Sequence, residues 1–70
     1  MLPLIEYEVY YLDPVTHHHV AVLKTTIMEK AFDRARETAH KINRLVAIRA
    51  LDLSGCGLRF SFVYPDGHIE

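Results

Sequence analysis

A single segment with helical periodicity, residues 27–43, lies between two pairs of segments with strand periodicity. Its charged side chains occupy one side of the predicted helix, and its apolar side chains recur on the other side at spacings of four and three residues. The apolar stripe comprises Met28, Phe32, Ala35, Ala39 and Ile42. Because one helix can cover only one face of a sheet, the other face must stay open or be covered by something else.

The predicted ends of this helix rest on local capping signals. Thr26-Ile27-Met28-Glu29 fits a capping box, in which the threonine and glutamate side chains each accept a backbone N–H. Asn43 tolerates the left-handed conformation that terminates many helices. The central alanines predict a close approach of the helix to the sheet.

The first two strands form a predicted hairpin. Residues 4–12 alternate in side-chain type and are rich in β-branched and aromatic residues, which is typical of a strand. Asp13-Pro14-Val15-Thr16 suits a type I turn, because aspartate favours its first position and proline its second. A loop of those four residues places Tyr11 opposite His18 and puts the apolar side chains of both strands on one face.

The last two strands are predicted at residues 45–53 and 58–64, joined by Ser54-Gly55-Cys56-Gly57. A strict four-residue loop there would turn Arg49 toward the helix. We therefore expect a glycine bulge that shifts the register by one residue and directs Phe60 and Phe62 to the helix.

These elements predict an α+β fold, a single ββαββ domain over residues 1–70 with a four-stranded, mainly antiparallel sheet and one helix on one face. A right-handed crossover joins the second strand to the third, so the strand order 2-1-3-4 makes every neighbouring pair antiparallel, and we prefer it. The order 1-2-3-4, with a parallel central pair, stays open.

Composition and the lack of certain motifs exclude several classes of protein. The chain has 70 residues, a net charge of −1 and 50% hydrophobic residues, which is typical of a folded globular domain. No apolar run is long enough to span a membrane, so we expect a cytoplasmic protein with no membrane partner. Cys56 is the only cysteine, which excludes an intrachain disulfide. Without a nucleophile elbow or a glycine-rich phosphate loop, we expect neither an enzyme nor a cofactor.

Alternation along the strands assigns their side chains to two faces. The face toward the helix is predicted to carry Ile5, Tyr7, Val9, Val20, Val22, Val46, Ile48, Ala50, Phe60 and Phe62. The opposite face is predicted to expose Tyr10, Leu12, Ala21, Leu23, Leu45, Ala47, Leu51, Leu53 and Val63, with Glu6, Glu8, Arg49 and Arg59 as possible ion pairs among them. That apolar set exceeds what a solvated surface usually shows, so it is the predicted interface.

The leading functional hypothesis is therefore a non-catalytic protein-interaction domain. It would form a homodimer, or bind another protein, through the helix-free sheet face or an edge strand. A domain this small buries little apolar surface alone, and association would add to that burial.

Two alternatives come from local clusters. His17 and His19 share a face if they lie in a strand, and two imidazoles could ligate Zn²⁺ or a similar metal ion. Lys30, Arg34 and Lys41 line one edge of the predicted helix and could contact nucleic acid or an acidic protein. The slightly negative net charge disfavours nucleic acid.

Two resemblances accompany these hypotheses. Arg59-Phe60-Ser61-Phe62-Val63 partly resembles the aromatic strand of RRM domains, which stacks RNA bases on an open sheet face, although we expect the two rings in the core. The element order resembles that of small bacterial and phage-encoded domains, including some anti-CRISPR inhibitors. This second resemblance implies a phage-type or mobile-element-type inhibitor as a further alternative.

Overall fold

Four strands form one antiparallel sheet, and a single helix packs on one of its faces. The computed structural model describes residues 5–53 and 57–70. Its elements are β1 (Ile5–Leu12), β2 (His19–Thr25), α1 (Met28–Ile42), β3 (Val46–Asp52) and β4 (Leu58–Val63). The sheet order is β2-β1-β3-β4 with every neighbouring pair antiparallel, which confirms the α+β class and the preferred strand order.

The helix ends as predicted but begins differently. Asn43 adopts φ 55° and ψ 45°, and its N–H donates to the Ala39 carbonyl. The predicted capping box is wrong, because the N-cap is Ile27 and no side chain caps it. Thr26 lies one residue ahead of the cap position, and the Thr25 hydroxyl instead accepts the Ile27 N–H at 3.1 Å.

Three alanines set the contact between the helix and the sheet. Ala31, Ala35 and Ala39 are fully buried and recur at every fourth residue of α1. Their small side chains let the helix backbone lie close to the sheet, where they pack with Val9, Val46, Ile48 and Val63 in one core cluster. Met28, which belongs to the predicted apolar stripe, is 53% exposed.

The first hairpin turns through the predicted motif. The Asp13 Oδ1 atom accepts the N–H of Val15 at 2.8 Å and that of Thr16 at 3.1 Å. The hydrogen bond from the Thr16 backbone, followed by that from Val15, lowers the pKa of Asp13 from its ordinary 3.8. His17 completes the turn at φ 61°, donating its N–H to the Asp13 carbonyl at 2.9 Å.

The register of this hairpin differs from the prediction in two places. Tyr11 pairs with Val20 instead of His18, and Leu12 pairs with His19. This shift of two residues leaves the side chains on their predicted faces. Farther along, a bulge in β2 inserts one residue between Ala21 and Leu23. Leu23 therefore pairs with Val9 and packs against the core, so its predicted place on the open face is wrong.

The second hairpin corrects the prediction for β4. Arg49 pairs with Phe60 and Ala47 with Phe62, so both phenylalanines lie on the face away from α1. Val63 pairs with Val46 and is fully buried in the core, so its predicted exposure is wrong. Residues 54–56 of the loop in which the glycine bulge was expected lie outside the described ranges, but the register of the described pairs does not contain the expected one-residue shift.

The position of α1 explains why β4 presents this side. The helix packs mainly over β1, β2 and β3, and it reaches β4 least. The helix side of β4 consequently borders an open cleft, where Arg59 and Ser61 meet solvent at little cost. Only Val63, at the end of the strand, reaches the core.

The chain after β4 folds back along its outer edge. The predicted turn at Pro65-Asp66-Gly67 forms, with Gly67 at φ 92° and its N–H donating to the Tyr64 carbonyl. Phe62 and Glu70 then exchange two backbone hydrogen bonds of 2.9 Å. A hydrogen bond between the side chains of Tyr64 and Glu70 raises the pKa of Tyr64.

Truncation of β4 side chains tests its register. We expect Val63→Ala to lower the free energy of unfolding by about 2 kcal/mol, because it leaves a cavity in the core. Phe60→Ala on the open face should cost less than about 1 kcal/mol in the monomer. Urea denaturation at low protein concentration measures both changes, and the reverse order would contradict the register.

The turn at Asp13 has a pH signature. Because its pKa is lowered in the folded protein, the ionised carboxylate stabilises the turn above pH 3.8, and this contribution is lost as the pH falls through the folded-state pKa. Carboxyl-carbon NMR should give an Asp13 midpoint below 3.8. Asp13→Asn keeps an acceptor oxygen and should remove the titration step, whereas a midpoint at or above 3.8 would contradict the two hydrogen bonds.

Candidate functional site

The sheet face opposite α1, called the open face below, carries an unusual share of large apolar side chains. Leu12, Leu58 and Phe60 are each about half exposed, and Phe62 is 39% exposed. The strand residues of this face are Glu6, Glu8, Tyr10, Leu12, His19, Ala21, Lys24, Ala47, Arg49, Leu51, Leu58, Phe60 and Phe62. Exposed apolar surface of this kind usually marks an interaction site.

The structure brings most of the predicted interface residues together. Tyr10, Leu12, Ala21, Ala47 and Leu51 lie on the open face, and Leu53 is exposed directly after β3. Leu23 and Val63 lie on the helix side instead. Sequence reasoning missed Phe60 and Phe62, although the even loop length between β3 and β4 carried the signal that would have placed them.

An open groove of about 300 Å³ occupies one end of this face. Its lining residues are Tyr10, Leu12, His19, Arg44, Leu45, Ala47 and Phe62. The rings of Tyr10 and His19 stand 4.7 Å apart at a tilt of 37°, and together they form one wall. The groove is thus mainly apolar, with Arg44 at its border.

A band of paired charges crosses the middle of the open face. An Arg49 Nη2 atom donates to the Glu8 Oε1 atom at 2.6 Å, which confirms one of the expected cross-strand pairs. Lys24 lies 3.6 Å from Glu6 on the neighbouring strands. The four charges cancel within one copy of the chain, so this band exerts little net field on a partner.

Arg44 differs from the other cations of this face. Within residues 5–53 and 57–70 it makes no ion pair, although its charge contributes to the lowered pKa of Asp13. It follows α1 and precedes β3, so its backbone lies at the end of the sheet where β1 terminates. The groove is therefore bordered by a cation that forms no ion pair within the described residues but whose charge reaches Asp13.

The histidine cluster does not have the geometry on which a metal role was expected. His17 lies in the turn with a left-handed backbone, whereas His19 begins β2 and packs against Tyr10. The predicted shared strand face is therefore wrong. Among the described residues, no group of three or more potential ligands is close enough to hold a metal ion.

The basic edge of the helix is mixed in charge. Lys30, Arg34 and Lys41 are exposed on α1 as predicted. Glu37 lines the same surface grooves as Arg34, and Asp33 pairs with Arg36 at 3.2 Å. Alternating signs of this kind are typical of a solvated helix surface.

Comparison of the chain with protein-family models, with curated proteins and with solved structures found no match. Within the described part of the chain, no helix has both the length and the apolar character that crossing a bilayer requires. The functional conclusion therefore depends on the geometry and chemistry of the open face.

Proposed function

We propose that this protein is a non-catalytic interaction domain that self-associates by packing the open faces of two copies against each other. The observation that carries this proposal is the outward position of Phe60 and Phe62 beside Leu12, Leu45 and Leu58. Two sheets that pack face to face through such side chains form a sandwich with a core about 10 Å thick.

The two phenylalanines supply much of the driving force. Phe60 is 49% exposed and Phe62 is 39% exposed. Burial of a further ~100 Å² of one such ring contributes about 2.5 kcal/mol at ~25 cal/mol per Å². Four rings from two copies therefore offset a substantial part of the entropy cost of association.

The edges of the sheet are less suited to association than its face. The outer strand β2 contains a bulge and carries Lys24, and both features disfavour the addition of another strand. On the other side, residues 68–70 run along β4 and occupy the backbone groups of Phe62. These features support the face over an edge strand as the contact.

The charged band is compatible with burial between two copies. Removing a charge from water is costly unless it is paired, and Glu8 and Arg49 already form a short hydrogen-bonded pair within one chain. Glu6 and Lys24 lie farther apart and remain partly solvated. Desolvation of this band on association therefore costs less free energy than desolvation of isolated charges would.

The size of the face sets the expected affinity. Four strands about 4.8 Å apart, each about seven residues long, present roughly 19 by 23 Å. Two such faces cover about 900 Å² in total, which is below the ~1,200–2,000 Å² of most stable complexes. We therefore expect a dimer with a micromolar dissociation constant.

Sedimentation velocity over a concentration series tests this proposal. The wild-type chain should change from monomer to dimer between low and high micromolar concentration. Phe60→Glu should abolish dimerisation, because the new carboxylate would be buried at the interface, while Arg49 opposite it can pair with it in the monomer.

Val15→Glu is the matched control, because Val15 is 84% exposed in the first turn and lies off the open face. This variant should dimerise as the wild type does. A wild-type chain that stays monomeric at high micromolar concentration would contradict the proposal, as would equal effects of the two substitutions.

A second candidate role, binding of single-stranded nucleic acid, is favoured by the same rings. Tyr10, Phe60 and Phe62 share the open face, and aromatic side chains on a sheet stack on bases. Glu6 and Glu8 on that face oppose phosphate binding, so we rank this role second. RNA binding by fluorescence anisotropy that Phe60→Ala removes would support it. A cytoplasmic location stays a prediction from the sequence.

A further inference from the structure

Building on the proposed self-association, we infer that the two sheets pack with their strands running in opposite directions, so that Arg44 of each copy meets Glu6 of the other. A two-fold axis between two stacked faces can run along the strands or across them. The two choices bring different side chains together. The distribution of charge and shape along the open face distinguishes them.

The two charged groups lie at opposite ends of the open face. Arg44 borders the groove at the end where β1 terminates with Leu12. Glu6 lies near the start of β1, where it pairs across the sheet with Leu51. The long axis of the strands therefore separates Arg44, which forms no ion pair within the described residues, from the Glu6 carboxylate.

An axis along the strands would keep like ends together. Arg44 of one copy would then lie near Arg44 of the second copy. The two guanidinium groups, which form no ion pair within the described residues of their own chains, would be desolvated side by side. Like charges brought together at an interface are strongly unfavourable. An axis across the strands reverses one copy and brings the Arg44 end over the Glu6 end.

Shape favours the same arrangement. The groove lies at the Arg44 end, whereas Leu51 and Leu58 form an adjacent pair at the other end, and Leu58 is 51% exposed. Reversal of one copy places these leucines over the groove of the other. The alternative places groove over groove, and an unfilled space forfeits packing contacts.

Glu6 is the carboxylate best able to accept a second cation. Its partner Lys24 is 3.6 Å away and has a side chain that is 60% exposed, whereas Glu8 is held at 2.6 Å by Arg49. A carboxylate has acceptor sites for more than one donor. The Arg44 guanidinium can therefore bind Glu6 of the second copy without displacing Lys24.

Charge-reversal variants and native mass spectrometry test this arrangement. Arg44→Glu and Glu6→Lys alone should each weaken the homodimer about tenfold, because each creates two like-charge contacts per dimer. In the heterodimer of the two variants, the new carboxylate at position 44 of one copy faces the new lysine at position 6 of the other, and the remaining Arg44 faces the remaining Glu6. Both contacts therefore join opposite charges. This heterodimer should therefore exceed the statistical share and approach the wild-type affinity, which also excludes misfolding of either variant.

Mixing Arg44→Glu with the wild type separates the two axes. In the inferred arrangement this mixture gives only the statistical share of heterodimer. One contact joins the wild-type Arg44 to Glu6 of the variant, which is favourable, and the other brings the new carboxylate at position 44 against the wild-type Glu6, which is unfavourable. An excess there would show Arg44 facing Arg44 and would overturn the inference, as would a statistical result in the first mixture. Lys30→Glu on the exposed side of α1 is the matched control and should leave dimerisation unchanged.

The two proposals fail in distinguishable ways. A wild-type chain that never dimerises contradicts self-association itself, and the inferred arrangement with it. A wild-type dimer that Phe60→Glu abolishes, but that shows no heterodimer preference, supports the open face as interface and contradicts only the reversed packing.

Discussion

The structure depends on the limited reach of one helix with an alanine-lined contact surface. Ala31, Ala35 and Ala39 let α1 lie close to the sheet. A single helix of 15 residues that packs over β1, β2 and β3 does not also cover β4. The core therefore closes over β1 to β3, and β4 contributes Val63 at one end. Its phenylalanines occupy the opposite face, where nothing in the described chain covers them.

The charges of that face largely cancel within the chain. The cross-strand pair of Glu8 with Arg49 and the looser pair of Glu6 with Lys24 cancel each other within the chain. A nucleic acid or a strongly charged protein finds little net field there. Arg44 is the exception, since its charge is unpaired within the described residues and borders the apolar groove.

Local signals predicted the helix, its C-terminal Asn43 and the turns at Asp13-Pro14-Val15-Thr16 and Pro65-Asp66-Gly67, because each follows from short-range sequence patterns. The preferred strand order followed from the handedness of the crossover between β2 and β3. The bulge in β2 and the face of β4 were not predicted, because both depend on which strand lies beneath α1. A four-residue loop places Phe60 and Phe62 on the face of Arg49, and the prediction put the two rings in the core by assuming a glycine bulge in that loop instead. Because the helix reaches β4 least, a feature that no sequence pattern shows, both rings lie on the open face.

The most direct test of the open face as an interface is a dilution series followed by amide NMR. Self-association through this face predicts that the resonances of Tyr10, Ala47 and Phe62 shift together with concentration along one binding curve, while those of exposed helix residues such as Lys30 and Glu37 stay constant. Spectra that do not change between low and high micromolar concentration, or changes confined to α1, would contradict the account.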